Sequence, residues 1–218
     1  MGNKSSINDK LEYSRVAIYN AHDDEIIRAR FAPFGFDENR HLANKQLFQE
    51  SNDLILKNEQ ENAEWKLASE AFNETLGSSR KKLRRIRQSL KFWYDADTPE
   101  AVEMGLYNSK ISKYADFKKI AQNFYSVLLS KEEVLAKLVP FGYTAESILA
   151  DSEEVNSLDQ LRNKREQESG DAQYATKERN AKLDELDECV SEMVRLARLI
   201  FRDDESQYLE KLGITSRS

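Results

Sequence analysis

Residues 28–40 read RARFAPFGFDENR and residues 135–147 read LAKLVPFGYTAES, so one chain writes Pro-Phe-Gly-aromatic twice. Pro33 and Pro140 stand 107 positions apart. A four-residue match arises by chance easily, and the test is whether the same offset aligns the rest. In the second half Leu183, Leu186, Val190, Met193, Ala197 and Ile200 recur at spacings of three and four, the apolar seam of an amphipathic helix. Moving back 107 positions gives Leu76, Ser79, Leu83, Ile86, Leu90 and Trp93, with a single polar residue in the same register. The earlier seam extends backwards through Phe72 and Trp65, and it runs through Gly77, which places that glycine inside a helix at a cost of about 1 kcal/mol relative to Ala.

The corner itself follows from residue chemistry. Proline cannot continue a helix, Gly35 and Gly142 accept the positive φ of a reversal, and Asp37 and Thr144 are good caps for the helix that follows. The aromatics flanking each glycine are expected to pin the corner to the core. Both halves also close alike, in AVEMGL (101–106) and YLEKLGI (208–214), where the offset becomes 108. The sequence therefore divides into two tandem helical repeats, 1–107 and 108–218. Units this small normally stack on one another to bury a core.

Each repeat reads as four to five helices in one order, packed as helical hairpins in a bundle. The first helix is clearest in the second copy, where Ile111, Tyr114, Phe117, Ala121, Phe124 and Leu128 share a face; its counterpart spans about Ser6 to Ala21. A short helix follows, with Asp23 as its cap in one copy and Ser130 with Glu133 as a capping box in the other. The third helix carries Leu42, Leu47, Phe48, Leu54 and Ile55, or Leu149, Val155, Leu158 and Leu161. Ser169-Gly170-Asp171 then predicts a reversal into a fourth helix. In the first copy Asn62 gives a weaker stop, and one very long helix is the alternative. Thr98-Pro99-Glu100 opens a last short helix.

Composition agrees with an all-α fold. Only seven glycines and three prolines occur in 218 residues, one third of which are charged. AKLVPFGYTAESI and RLARLIFRDDESQYLEKLGI resemble segments of a group of Bacteroidetes-type bacterial all-helical proteins that carry two such FG-containing copies. The resemblance implies the two-copy helical architecture and no activity.

No phosphate-binding glycine loop or nucleophile with a basic partner is present, and the lone Cys189 rules out an internal disulfide and a cysteine-built metal site. Cys189 stands among apolar positions and reads as a buried, inert thiol. Glu38-Asn39-Arg40-His41 has the Glu-x-x-His spacing of di-iron bundles, but the second copy has no histidine there. His22, Asp23 and His41 would have to meet at the corner to hold a metal, and solvated helix ends are the simpler reading. We expect no catalytic residue, cofactor or metal. No segment is apolar enough to span a bilayer, and the chain reads as cytoplasmic. MGNKSS at 1–6 matches an N-myristoylation pattern, against which a polar tail is the preferred reading.

The sharpest feature is RKKLRRIRQSLK (80–91), with seven basic residues in twelve and no acid. Its seam positions are apolar, which leaves Arg80, Lys81, Lys82, Arg84, Arg85, Arg87 and Lys91 on the other faces of the helix. The aligned stretch, 187–198, has three acids and two arginines, so the fold does not need the basic charge. These cations are candidates for an anionic or protein partner. The competing reading matches them to Glu50, Asp53, Glu59, Glu61 and Glu64 on a preceding helix. A net charge of −6 and the lack of a visible aromatic platform speak against nucleic acid. The expectation is a non-enzymatic interaction or assembly module that binds a protein, or itself, through charged helix faces.

Overall fold

The computed structural model describes residues 6–108, 112–201 and 205–214. Among these the chain is all-helical, without a strand: α1 (Ile7–Asp23), α2 (Glu25–Phe31), α3 (Glu38–Leu90), α4 (Pro99–Glu103), α5 (Tyr114–Ser130), α6 (Glu132–Ala136), α7 (Ala145–Ile200) and α8 (Ser206–Lys211). Two 3-10 turns, Ala32–Phe34 and Val139–Phe141, hold the two Pro-Phe motifs. One order thus occurs twice: a 17-residue helix, a short helix, a 3-10 turn, a very long helix and a short helix.

The corners behave as their residues dictate. Gly35 has φ 85° and Gly142 φ 84°, the left-handed region where a Cβ is strained. Asp37 Oδ1 accepts from the Arg40 N–H at 2.9 Å, while Thr144 and Ser147 cap each other reciprocally at 3.0 and 3.2 Å. Of the flanking aromatics only Phe36 is buried, between Phe31 and the Arg40 guanidinium 4.0 Å over its ring; Phe34 and Phe141 are exposed.

The reversal expected at Ser169-Gly170-Asp171 does not occur. α7 runs unbroken for 56 residues and α3 for 53, with Gly170 and Gly77 both inside. A helical glycine costs about 1 kcal/mol, and a tertiary partner for the flanking turns outweighs that. The caps of the short helices also differ from expectation. Asp24, not Asp23, caps α2 by accepting from the Ile26 and Ile27 N–H groups, and Lys131 stands at the N-cap of α6 while the Ser130 hydroxyl donates back to Val127 O.

The packing forms two compact units, one of residues 1–63 with 170–218 and one of residues 64–169. Neither coincides with residues 1–107 or 108–218. Each takes the opening elements of one half of the sequence and the closing elements of the other, because the long helices pair antiparallel and bring early α3 beside late α7. In the first unit Lys57 and Asn58 meet Glu178 and Thr176, each at 2.9 Å, and Lys10 meets Asp187 at 2.6 Å. Its core joins Ile18, Ile27, Phe31 and Phe36 to Leu186, Val190, Met193 and Ala197. In the second unit Leu83, Ile86 and Leu90 of α3 pack with Phe117, Phe124, Tyr125 and Leu128 of α5 and with Ile148, Val155 and Leu158 of α7.

The seams read from the sequence are therefore the cores, apart from their ends. Ser79 is buried because its hydroxyl donates to Glu154 at 2.7 Å. Trp65, Leu42 and Leu149 are exposed. Trp93 is exposed too, since α3 ends at Leu90 and the chain turns so that Tyr94 enters the core instead. Ile111 and Gly2 lie outside the described residues.

Candidate anion-binding cleft

Burial of Leu83, Ile86 and Leu90 fixes the rotation of α3 in the second unit, and that rotation distributes the basic side chains. Lys82 falls on the flank facing α7, where its ammonium lies 2.5 Å from Glu154 and 2.9 Å from Asp151; the Glu154 hydrogen bond raises its pKa most. Lys81, Arg84 and Arg85 form no ion pair among the described residues, and all three are exposed. The expected match to Glu50, Asp53, Glu59, Glu61 and Glu64 is not made. Those acids lie on α3 itself, several turns before Arg80, and Glu50 pairs with Lys182 at 3.3 Å. Six of the seven cations thus have no carboxylate partner among the described residues.

Arg80, Arg84, Arg87 and Lys91 recur at spacings of four, three and four, which places them on one face. They form one wall of a cleft of about 530 Å³, with Tyr107, Asn108 and Ser112 opposite. Arg87 is buried and acts as a clamp. Its Nε donates to Leu106 O at 3.0 Å, and its Nη2 reaches the carbonyls of Leu106 and Asn108 at 2.6 Å and Gly105 at 3.2 Å. Burial pushes its pKa down, but a guanidinium starts so high that it stays charged. The remaining nitrogen, Nη1, has no protein partner among the described residues. Arg80 donates from Nη2 to Ser112 O at 3.0 Å, with its guanidinium 5.4 Å from the Phe117 ring centre. Its Nε is buried without a hydrogen-bond partner among the described residues. Lys91 holds its ammonium 4.4 Å over the Tyr107 ring, whose hydroxyl donates to Tyr94 O at 2.8 Å. Fixed guanidinium donors beside a concave surface suit an oxyanion, and arginine's planar fork does so better than lysine.

Sequence reasoning missed the neighbouring surface. Arg85, Gln88, Ser89, Phe92, Phe141 and Tyr143 line a shallow groove that adjoins the cleft through Gln88. Phe92 is 73% exposed, with Trp93 edge-on at 4.9 Å and Phe141 at 6.3 Å between ring centres. The signal was present in the failed seam: Trp93 lies beyond the turn that ends α3, and Phe141 is brought over from a corner 48 residues further on.

The histidines lie in the first unit. His22 accepts or donates at Asp23, Lys45 and Glu38, at 2.8, 2.8 and 2.9 Å. Its pKa is raised, chiefly by the Glu38 hydrogen bond and then by Asp23. His41 is buried, both its ring nitrogens are without hydrogen-bond partners among the described residues, and burial lowers its pKa. Its ring lies 5.6 Å from that of His22, but the ligand atoms of His22, Asp23 and His41 do not converge on a common point. The Lys45 ammonium already bridges His22 and Asp23. Cys189 is half-buried and burial raises its thiol pKa, the state of an unreactive cysteine. Among the described residues no helix is long and apolar enough to cross a membrane.

No protein-family model matches the chain, and no curated protein or solved structure is similar to it.

Proposed function

We propose that this chain is a non-enzymatic interaction module of the cytoplasm, built from two tandem copies of one helical unit, that docks an anionic partner through the basic face of α3. The observation that carries the reading is the charge accounting around Arg80–Lys91, where among the described residues only Lys82 is neutralised by carboxylates. Intrachain pairs form elsewhere, as in Lys10–Asp187, Lys57–Glu178 and Lys211–Asp24, and no other stretch of twelve residues gathers seven cations without an acid. An uncompensated cluster raises the local potential and attracts an opposite charge, even on a chain that is acidic in sum.

Reversal of two exposed members tests it. Arg84→Glu with Arg85→Glu touches no core contact, and the double variant is expected to keep its melting temperature while losing binding to an immobilised polyanion such as heparin. Retention equal to the parent chain at 0.1 M salt disproves the reading.

A second reading, self-association or docking of a protein through apolar contacts, is supported by exposed residues at both corners: Phe34 and Leu199 in the first unit, and Phe92 and Phe141 in the second. Molar mass by light scattering across a concentration series decides it. A fixed oligomer favours assembly, and a monomer at every concentration leaves the basic face as the docking site.

A further inference from the structure

We infer that the cleft and its adjoining aromatic groove bind single-stranded nucleic acid, which rests on the reading of the basic face as an anion dock and names the anion. Four cations in register along α3, from Arg80 to Lys91, cover about 16 Å of helix axis at 1.5 Å per residue, a row rather than a point. A compact phosphate would use one end of that row; an extended polyanion uses all of it. Single-strand binders join such a row to aromatic rings on which successive bases stack.

The structure supplies those rings where the row ends. Phe92 presents an open ring to solvent, Trp93 and Phe141 flank it, and Gln88 belongs to both the cleft and the aromatic groove. Tyr107 stands in the cleft wall itself.

Most of both halves of this device is missing at the aligned positions in the first unit, where only Lys91, matched by Arg198, and Phe141, matched by Phe34, keep their character. Arg80, Lys81, Arg84 and Arg85 are matched 107 positions on by Asp187, Glu188, Ser191 and Glu192, and Phe92 and Trp93 by Leu199 and Ile200. The seam residues beneath are apolar in both. Charge and aromaticity therefore change together where packing does not ask for either, as expected of one function using both.

The net charge does not oppose this. Exposed charges are screened beyond about 8 Å at physiological salt. A strand in the cleft experiences chiefly the local cations, and two acids of the same unit, Asp151 and Glu154, are engaged by Lys82.

The probes are a fluorescein-labelled dT15 strand, the same length as a duplex, and a labelled 15-residue oligo-glutamate, each titrated with the full chain and read by anisotropy. The expected result is binding of dT15 that weakens roughly fifty-fold between 50 and 200 mM salt, from about four phosphate contacts on a single strand. Arg84→Glu with Arg85→Glu is expected to abolish it. Phe92→Ala, at an exposed position, is expected to weaken it roughly tenfold, from the loss of one stacked base. Duplex binding equal to that of dT15, or no effect of Phe92→Ala, overturns the inference. Oligo-glutamate binding tighter than dT15 also overturns it and leaves an acidic protein segment as the partner, with the anion-docking reading intact. If no probe binds at 50 mM salt, both the inference and that reading fall.

Discussion

The stretches 80–91 and 187–198 occupy aligned positions at the ends of the two long helices, yet one carries seven cations and no acid while the other carries three acids and two arginines. Beneath the difference the packing is alike. Leu83, Ile86 and Leu90 are buried in one unit, and Val190, Met193 and Ala197 in the other. In the first unit two of the five surface charges are matched within the chain, Asp187 to Lys10 and Glu192 to Arg40. In the second, among the described residues, one of the seven is matched, Lys82 to Asp151 and Glu154. The seam is what the fold requires, and the surface above it is free to differ.

The comparison can be broken most severely at the positions where the two surfaces reach inward. Arg87 is aligned with Val194, and only the former clamps carbonyls. Arg87→Ala leaves buried acceptors on Leu106 and Asn108 unpaired, and a loss of about 3 kcal/mol is expected, against about 1 kcal/mol for Val194→Ala. Urea denaturation of the two variants measures this, and equal losses would mean that the clamp is replaced by water at no cost. Core truncation tests the likeness instead of the difference. Ile86→Ala and Met193→Ala, both fully buried, are each expected to cost about 3 kcal/mol, with hydrogen exchange rising in the unit that holds the altered residue.

A smaller effect belongs to the corners. Gly35→Ala and Gly142→Ala each force a side chain into the left-handed region, at a cost of about 1 kcal/mol or more. No atom lies within 4 Å of an added Cβ at Gly142, so its cost is purely conformational, whereas at Gly35 the Arg40 guanidinium lies 3.9 Å away. That distance is ordinary van der Waals contact, so calorimetry of the pair should give equal destabilisation.

Only the first unit has histidines, and their pH effects oppose each other. The His22 pKa is raised by Glu38 and Asp23, so its stabilisation is complete below the unfolded value of about 6.5 and is lost as pH rises through the folded value. His41 is depressed by burial, aided by the positive charges of His22, Arg28 and Lys45 and opposed by Glu38. Its contribution is present above about 6.5 and is lost as pH falls towards its folded value. As pH falls from the raised folded value of His22 to about 6.5 the parent gains stability that the His22→Gln variant is expected not to gain, whereas below about 6.5 the melting temperature of His41→Phe is expected to fall less steeply than the parent's. Identical pH profiles would contradict the assignment. The smallest effect concerns the exposed cations: Arg84→Glu with Arg85→Glu is expected to move stability by less than about 0.5 kcal/mol, because neither side chain has a partner to lose.

The sequence was most legible where one local rule acts alone. Gly35, Gly142, Asp37 and Thr144 are governed by backbone geometry within a few residues, and each does what its chemistry predicts. The apolar seams were legible for the same reason, since periodicity survives any arrangement that buries one face. Gly170 was misread because its neighbours supply both a stop and a cap, while a helix partner distant in sequence decides the outcome. The basic stretch was visible at once, but the destination of its charges was not. Lys82 finds Asp151 and Glu154 across about 70 residues, and Phe141 reaches Phe92 across 49. Periodicity carries no information about such separations.

The division of the chain into units has a consequence for synthesis. Residues 64–169 are contiguous, so that unit has all its segments once its last residue clears the ribosome, whereas the first unit waits for residues 170–218 to join 1–63. Until then Phe31 and Phe36 lack Met193, Ala197 and Phe201, and their apolar faces stay uncovered through more than a hundred residues of translation. Closing so long a loop adds little in equilibrium free energy, since the entropy grows only with the logarithm of its length. It does set an order of events, in which the half of the molecule that carries the basic cleft is complete first.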